Sequence, residues 1–250
     1  MKDKTRKRIK FVLKLLIVVV IILIAYRAFM YSFNMHRCES QCMNGEVDRI
    51  ENGNICVCSD GLKIEADFMV DKPVLYLYPE NDNTEIKVSF EHPENLTVTY
   101  PKYNNEWVVT ASSNGDLYDA SGKYYYALYW EESNAIDVDF SEGFYVTKDN
   151  AIEFLEEKLT IIGLNDRERN EFIMYWLPIL EENEQSLVYF ELTESREANN
   201  KLIIEPKPDS LLRVAIHIKK VNKKIDIKEQ TLQTFKRVGF VAVEWGGTIH

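Results

Sequence analysis

Asn150-Ala-Ile-Glu-Phe-Leu-Glu-Glu-Lys-Leu-Thr-Ile-Ile-Gly163 decides the fold class of this chain. Ala151, Ile152, Phe154, Leu155, Leu159 and Ile162 recur at the spacing of one helix face. Asn150 with Glu153 reads as a capping-box start, and Gly163 supplies the stop. Just beyond, Asn165 with Glu168 opens a second helix carrying Phe172, Ile173, Tyr175, Trp176 and Leu180. Pro178 should kink that helix or end it early, because proline donates no amide hydrogen bond.

On both sides the period falls to two. Pro73-Val-Leu-Tyr-Leu-Tyr78-Pro79 opens the series, followed by 85–90, 96–100, 107–111 and 124–130. Asn114-Gly115 and Ser121-Gly122 mark hairpin turns between them. After the helices, strands are expected at 187–192, 201–204, 211–219 and 240–245. Strands, two consecutive helices and strands again predict an α+β domain over 71–250, an antiparallel sheet or sandwich with helices on one side. Gly246-Gly247 after the last strand allows a tight turn or a close backbone approach.

The N-terminus follows a different rule. Residues 1–10 form a basic tail with Lys2, Lys4, Arg6, Lys7, Arg8 and Lys10. Phe11 to Tyr31 then supplies the roughly 20 residues that cross a bilayer core of about 30 Å. That length requires Lys14 and Arg27 to snorkel to opposite interfaces. Tyr26 and Tyr31 suit the outer headgroup belt, and the basic flank stays cytoplasmic by the positive-inside rule. Ala25-Tyr26-Arg27-Ala28 is a poor cleavage site, so the expectation is an uncleaved single-pass anchor at 11–31 with the bulk outside the cytoplasm.

Eight of the 30 basic residues and one of the 40 acidic ones lie in 1–33, so the remainder carries 22 against 39, a formal charge of −17. Such a surface argues against nucleic acid as a partner, since that binding neutralises phosphates. The expected partners are the bilayer, through 11–31, and an envelope polymer or surface protein.

All four cysteines, Cys38, Cys42, Cys56 and Cys58, fall in 32–70. Outside the cytoplasm an even count reads as disulfides in a stapled stalk. Spacings of C-x₃-C and C-x-C suit a zinc site poorly, so no metal is expected there. Cys56-Val-Cys58-Ser-Asp-Gly61 resembles the C-x-C-x-x-G close of a small growth-factor-type knot. The resemblance implies Cys38–Cys56 and Cys42–Cys58; the nested pairing stays open.

The common catalytic signatures are missing: no Gly-rich phosphate loop, no G-x-S-x-G and no H-E-x-x-H. No cysteine lies in the folded domain. His217 alternates with Val214, Ile216 and Ile218 in its strand, which predicts that it faces solvent. What remains is aromatic and acidic. Tyr124, Tyr125, Tyr126, Tyr129 and Trp130 crowd one strand, which ends in Glu131; Glu171 precedes Tyr175 and Trp176; Glu244 precedes Trp245. Paired carboxylates beside rings suit glycan hydrolysis, with separations of about 5–9.5 Å. Glu131, Glu171 and Glu244 are therefore the candidate acids, and Tyr129, Trp130 and Trp245 the candidate ligand-stacking rings. If Glu244 is buried and paired, with Arg213 or Arg237 as its cation, removing its charge costs about 2–4 kcal/mol. The bland alternative is that the rings fill a core and the acids are solvated.

Lys72-Pro-Val-Leu-Tyr-Leu-Tyr-Pro79, Thr99-Tyr-Pro101, Leu128-Tyr-Trp-Glu131, Phe154-Leu-Glu-Glu-Lys-Leu159, Asn170-Glu-Phe-Ile-Met-Tyr-Trp-Leu-Pro178 and Val243-Glu-Trp-Gly-Gly247 resemble a family of uncharacterised microbial proteins. The resemblance spans about 71–248. It implies one domain over that range and carries no activity, no cofactor and no functional residues with it. The expected function is a non-catalytic surface binding module; the alternative is an envelope glycan hydrolase.

Overall fold

The computed structural model describes residues 47–51, 55–59, 63–65, 69–133, 138–199 and 201–250. They fall into two units, one before Phe68 and one running Phe68–His250. The expected anchor at 11–31 lies outside the described residues, as do Cys38 and Cys42. Among the described residues no helix is long and apolar enough to cross a membrane. The first unit holds three antiparallel strands in the order β1-β2-β3: Val47–Glu51, Ile55–Cys58 and Lys63–Glu65.

The second unit is α+β and sandwich-like. Its strands are β4 (Met69–Tyr78), β5 (Thr84–Phe90), β6 (Leu96–Tyr100), β7 (Trp107–Ala111), β8 (Leu117–Tyr118), β9 (Tyr124–Tyr125) and β10 (Leu128–Ser133), then β11 (Glu142–Thr147). Helices α1 (Ala151–Ile162) and α2 (Asp166–Glu182) follow. Then come β12 (Gln185–Leu192), a short α3 (Thr193–Asn199), β13 (Leu202–Glu205), β14 (Ser210–Lys220), β15 (Lys228–Glu229) and β16 (Val241–Ile249).

Eight strands form one sheet, in the order β15-β11-β12-β14-β16-β4-β10-β6, and five form another, β13-β5-β7-β8-β9. The larger sheet is buried on both faces. Val74, Tyr76, Val188, Val214, Ile216 and Trp245 meet Phe154, Leu159, Phe172 and Trp176 of the helices. On the opposite face Leu75, Leu77, Leu128, Trp130 and Ala242 meet Ile86, Val88, Trp107 and Val109 of the smaller sheet. This is why residues 73–78 of β4 read as an unbroken apolar run rather than as an alternation.

The hairpin glycines sit where the sequence places them: Gly115 (φ 90°) and Gly122 (φ 80°) join β7 to β8 and β8 to β9. Gly163 (φ 105°) closes α1, its amide donating to the Leu159 carbonyl. At the start of α2, Asn165 and Glu168 form a reciprocal capping box. Asn150 behaves differently, for its side-chain carbonyl accepts from the Thr147 amide and caps a preceding 3-10 turn. Pro178 does not end α2, which continues to Glu182. The carbonyl it leaves unpaired belongs to Met174, on the solvent side, where water can meet it.

The larger sheet is mixed rather than wholly antiparallel. β14 runs parallel to β16, and β11 parallel to β15. The long return over 221–240 allows this, because parallel neighbours need a crossover rather than a tight turn. The last strand also outruns its expected end at Trp245. A Cβ on Gly247 would stand 2.3 Å from the Ile216 carbonyl oxygen and 2.6 Å from Trp176 Cζ2. The Gly-Gly pair therefore serves close approach inside a strand, not a turn after it.

Candidate functional site

The acidic candidates separate once the strands are placed. Glu244 is fully buried on β16, and the parallel register sets it beside Arg213 of β14. Arg213 Nε donates to Glu244 Oε2 at 2.6 Å, and Arg196 Nη2 of α3 to Oε1 at 2.8 Å. Arg237, the other cation expected for Glu244, instead grips Glu168 with two bonds of 2.9 and 2.8 Å. Burial pushes the Glu244 carboxyl up, but the two guanidiniums outweigh it and hold the group below the ordinary carboxylate range. An acid so held stays ionised and has no proton to give a leaving group.

The cluster extends further. Arg213 Nη1 donates to Glu197 at 2.6 Å, and Ser195 Oγ donates to Glu191 at 2.7 Å. Arg196 Nη1 lies 3.7 Å from Glu191, and His217 Nε2 lies 3.5 Å from it. The expectation that His217 faces solvent is corrected here. Its alternation with Val214, Ile216 and Ile218 is real, but it is fully buried on the face opposite the helix-side core. Its Nδ1 lies 3.1 Å from His250 Nε2.

Glu131 and Glu171 lie elsewhere, beside a cavity of about 440 Å³ lined by Lys72, Val74, Tyr100, Tyr124, Tyr125, Tyr126, Ala127 and Tyr129. Two sheets contribute. Tyr100 of β6 and Tyr129 of β10 are cross-strand partners in the larger sheet, whereas Tyr124 and Tyr125 form β9 at the edge of the smaller one. Tyr100, Tyr124 and Tyr126 are 54, 49 and 43% exposed.

Carboxylates hold the rings in place. Tyr124 donates to Asp116 at 3.0 Å, Tyr125 to Asp119 at 3.1 Å, and Tyr129 to Glu131. The second oxygen of Glu131 accepts the Lys72 amide at 3.1 Å. Glu171 accepts Tyr76 Oη at 2.7 Å and faces Arg167 at 3.5 Å. Three cations sit on the rings. Arg167 lies 4.7 Å from the Tyr126 centroid, and Lys123 lies 5.4 and 5.1 Å from those of Tyr100 and Tyr125. Lys72 Nζ lies 4.5 Å from the centroid of Tyr175.

Of the three expected stacking rings, Tyr129 lines this cavity. Trp130 and Trp245 are fully buried in the two cores and offer no face to a ligand. Tyr100 and Lys72 are the contributors that sequence reasoning missed. A second cavity, about 400 Å³, lies between α1 and 224–229. Its Lys158 is already paired with Glu157 and Glu229, at 3.1 and 3.2 Å. Among the described residues no group of His, Cys, Asp and Glu side chains could hold a metal, and no free cysteine is present.

No family model matches the chain, and no solved structure matches it. A protein of Butyrivibrio fibrisolvens named "Uncharacterized protein in bglA 3'region" is 45% identical over 62 residues. The match covers 24% of this chain, which thus spans about 64% of that relative's length.

The buried cluster makes stability depend on pH. Burial holds His217 below its ordinary value of 6.5, with Glu191 opposing. Glu191 would be raised by burial, but His217, Arg196 and Ser195 bring it from 4.5 to about 2. Both groups accept protons at higher pH when the chain is unfolded. Stability is therefore complete above pH 6.5 and declines as pH falls, first through His217 and below 4.5 through Glu191 as well. The slope reaches about 1.4 kcal/mol per pH unit for each proton. Urea unfolding at a series of pH values should show this decline, and His217→Asn should flatten its upper limb. A parental curve level from pH 7 to 5 contradicts the assignment.

Proposed function

We propose that the Phe68–His250 unit is a non-catalytic binding module that takes a glycan of the cell envelope into the tyrosine-lined cavity. One observation carries the reading: three exposed tyrosines surround a cavity of about 440 Å³, and the neighbouring acids act as hydrogen-bond acceptors that fix the rings. Ligand sites are mostly apolar concavities with a few placed polar groups, and a cavity of this size suits one. Sugar rings present flat C–H faces that stack on aromatic faces, whose π-clouds are negative.

The hydrolase alternative keeps only Glu131 and Glu171, because Glu244 is locked between two arginines. Both lie beside the cavity. Each already accepts a tyrosine hydroxyl, whereas a general acid must donate. Hydrolysis abolished by Glu131→Gln or Glu171→Gln would establish that reading in place of simple binding.

Single substitutions Tyr100→Ala, Tyr124→Ala and Tyr126→Ala should each weaken retention on insoluble cell-wall glycan about three- to tenfold. Melting temperature should hardly move, since these rings are already half exposed. Unchanged retention in all three would remove the cavity from consideration; a surface protein would then be the better partner.

The membrane mount belongs to the same proposal. Its support is the basic tail, the apolar run 11–31 and the cysteines of 32–70. The proposal includes two disulfides there, placing the domain outside the cytoplasm. Protease added to intact spheroplasts should then remove the domain; full protection would contradict the topology.

A further inference from the structure

We infer that the glycan taken by the tyrosine cavity is acidic, a sugar chain bearing carboxylates, and that Lys72 Nζ is the group that meets the carboxylate. The inference rests on the glycan-binding reading and narrows its ligand class.

Charge distribution is the first ground. Beyond residue 33 the chain carries 22 basic against 39 acidic residues. Lys72, Lys123 and Arg167 nevertheless converge on the cavity's tyrosines and on Tyr175 beside them. Arg167 faces Glu171 at 3.5 Å. The described contacts of Lys72 Nζ are with rings instead, 4.5 Å from the Tyr175 centroid and 5.8 Å from that of Trp245. A ring face steers an ammonium without using its donors, and a lysine has three of them. Four carboxylates, Asp116, Asp119, Glu131 and Glu171, border the same rings, but each already accepts a tyrosine hydroxyl, whereas the ammonium of Lys72 is presented to a ligand.

The backbone at Lys72 is the second ground. Its φ is 53°, in the left-handed region that non-glycine residues seldom occupy. The register of β4 slips here against both neighbours, between Tyr129 and Glu132 on one side and Trp245 and Gly247 on the other. Bulges of this kind re-aim side chains. The Lys72 amide donates to Glu131, which also accepts the Tyr129 hydroxyl. One carboxylate thereby fixes both the turned backbone under Lys72 and a ring of the cavity wall. Glu131 is in this account a positioning residue, and it explains why an acid stands beside a site for anions.

A carboxylate entering the cavity replaces water on Lys72 with a charge-assisted bond while the sugar face lies on the rings. A neutral chain can use only the rings. Acidic peptides share the charge but not the flat C–H face, so the glycan is the better fit to five tyrosines.

The test uses the full chain, solubilised in detergent, with polygalacturonate, polyglucuronate and alginate as probes. Each is compared with its methyl ester, which removes the charge and keeps the sugar. Poly-L-glutamate serves as the peptide control. At least one acidic glycan should bind about tenfold tighter than its ester, as expected for a hydrogen bond to a charged group. Lys72→Gln should bring acid and ester to equal affinity at an unchanged melting temperature, Lys72→Arg should keep the preference, and salt should reduce it. Esters that bind as well as the acids, or a preference that survives Lys72→Gln, would overturn the inference while leaving the glycan reading intact. Poly-L-glutamate bound in a Lys72-dependent way without glycan would overturn it in favour of an acidic peptide. No binding to any glycan, acidic or neutral, would overturn both.

Discussion

Arg213 and Glu244 stand side by side across the parallel pairing of β14 and β16, and much of the molecule is arranged to make that burial tolerable. An unpaired charge in an interior of low polarity costs several kcal/mol, so the pair must be completed before it can be covered. α3 completes it with Arg196 and Glu197, directly after β12, which brings Glu191. The same two strands turn Leu212, Val214, Ile216, Val243 and Trp245 to the opposite face, against the helices. A slip of one residue would exchange the two faces, sending arginine and glutamate into the aliphatic core. Ion pairing and apolar packing thus specify the same register in a pairing of distant segments.

Sequence pattern reaches far into this fold because most of its elements obey a single period. Both long helices, both hairpin turns and the capping box of α2 follow from spacing and turn chemistry. The departures have physical causes. His217 alternates as an exposed residue should, but its ring is covered by Tyr189 and His250 and by Glu191 beside the short helix 193–199, which has no apolar period of its own. Residues 124–130 read as one strand yet divide between β9 and β10, because Tyr126 and Ala127 carry the chain from the smaller sheet to the larger. The parallel placement of β16 could not be read from its own residues, since it depends on the path of the preceding 20.

The site is legible only where it is local. Tyr124 to Tyr129 are neighbours in the chain, so their crowding is visible at once. Tyr100 and Lys72 join them only because sheet order sets β6 and β4 on either side of β10. Trp130 and Trp245 have the right chemistry for stacking and the wrong face of their strands. Glu244 is legible as a buried acid from the apolar run before it, Phe240-Val-Ala-Val243. That same burial, with two arginines supplied by distant elements, makes it a structural ion rather than an acid catalyst. The division is therefore spatial: charges inside fix the sheet, and rings at the seam of the two sheets line the cavity proposed to take a ligand.

That division is tested most directly by Glu244→Gln, with melting temperature and glycan retention measured on the same preparation. Unfolding free energy should fall by about 3–5 kcal/mol, as for a buried ion pair deprived of one partner, and retention should be unchanged in the folded fraction. Unchanged melting with lost retention or lost hydrolysis would contradict that division and return Glu244 to the site.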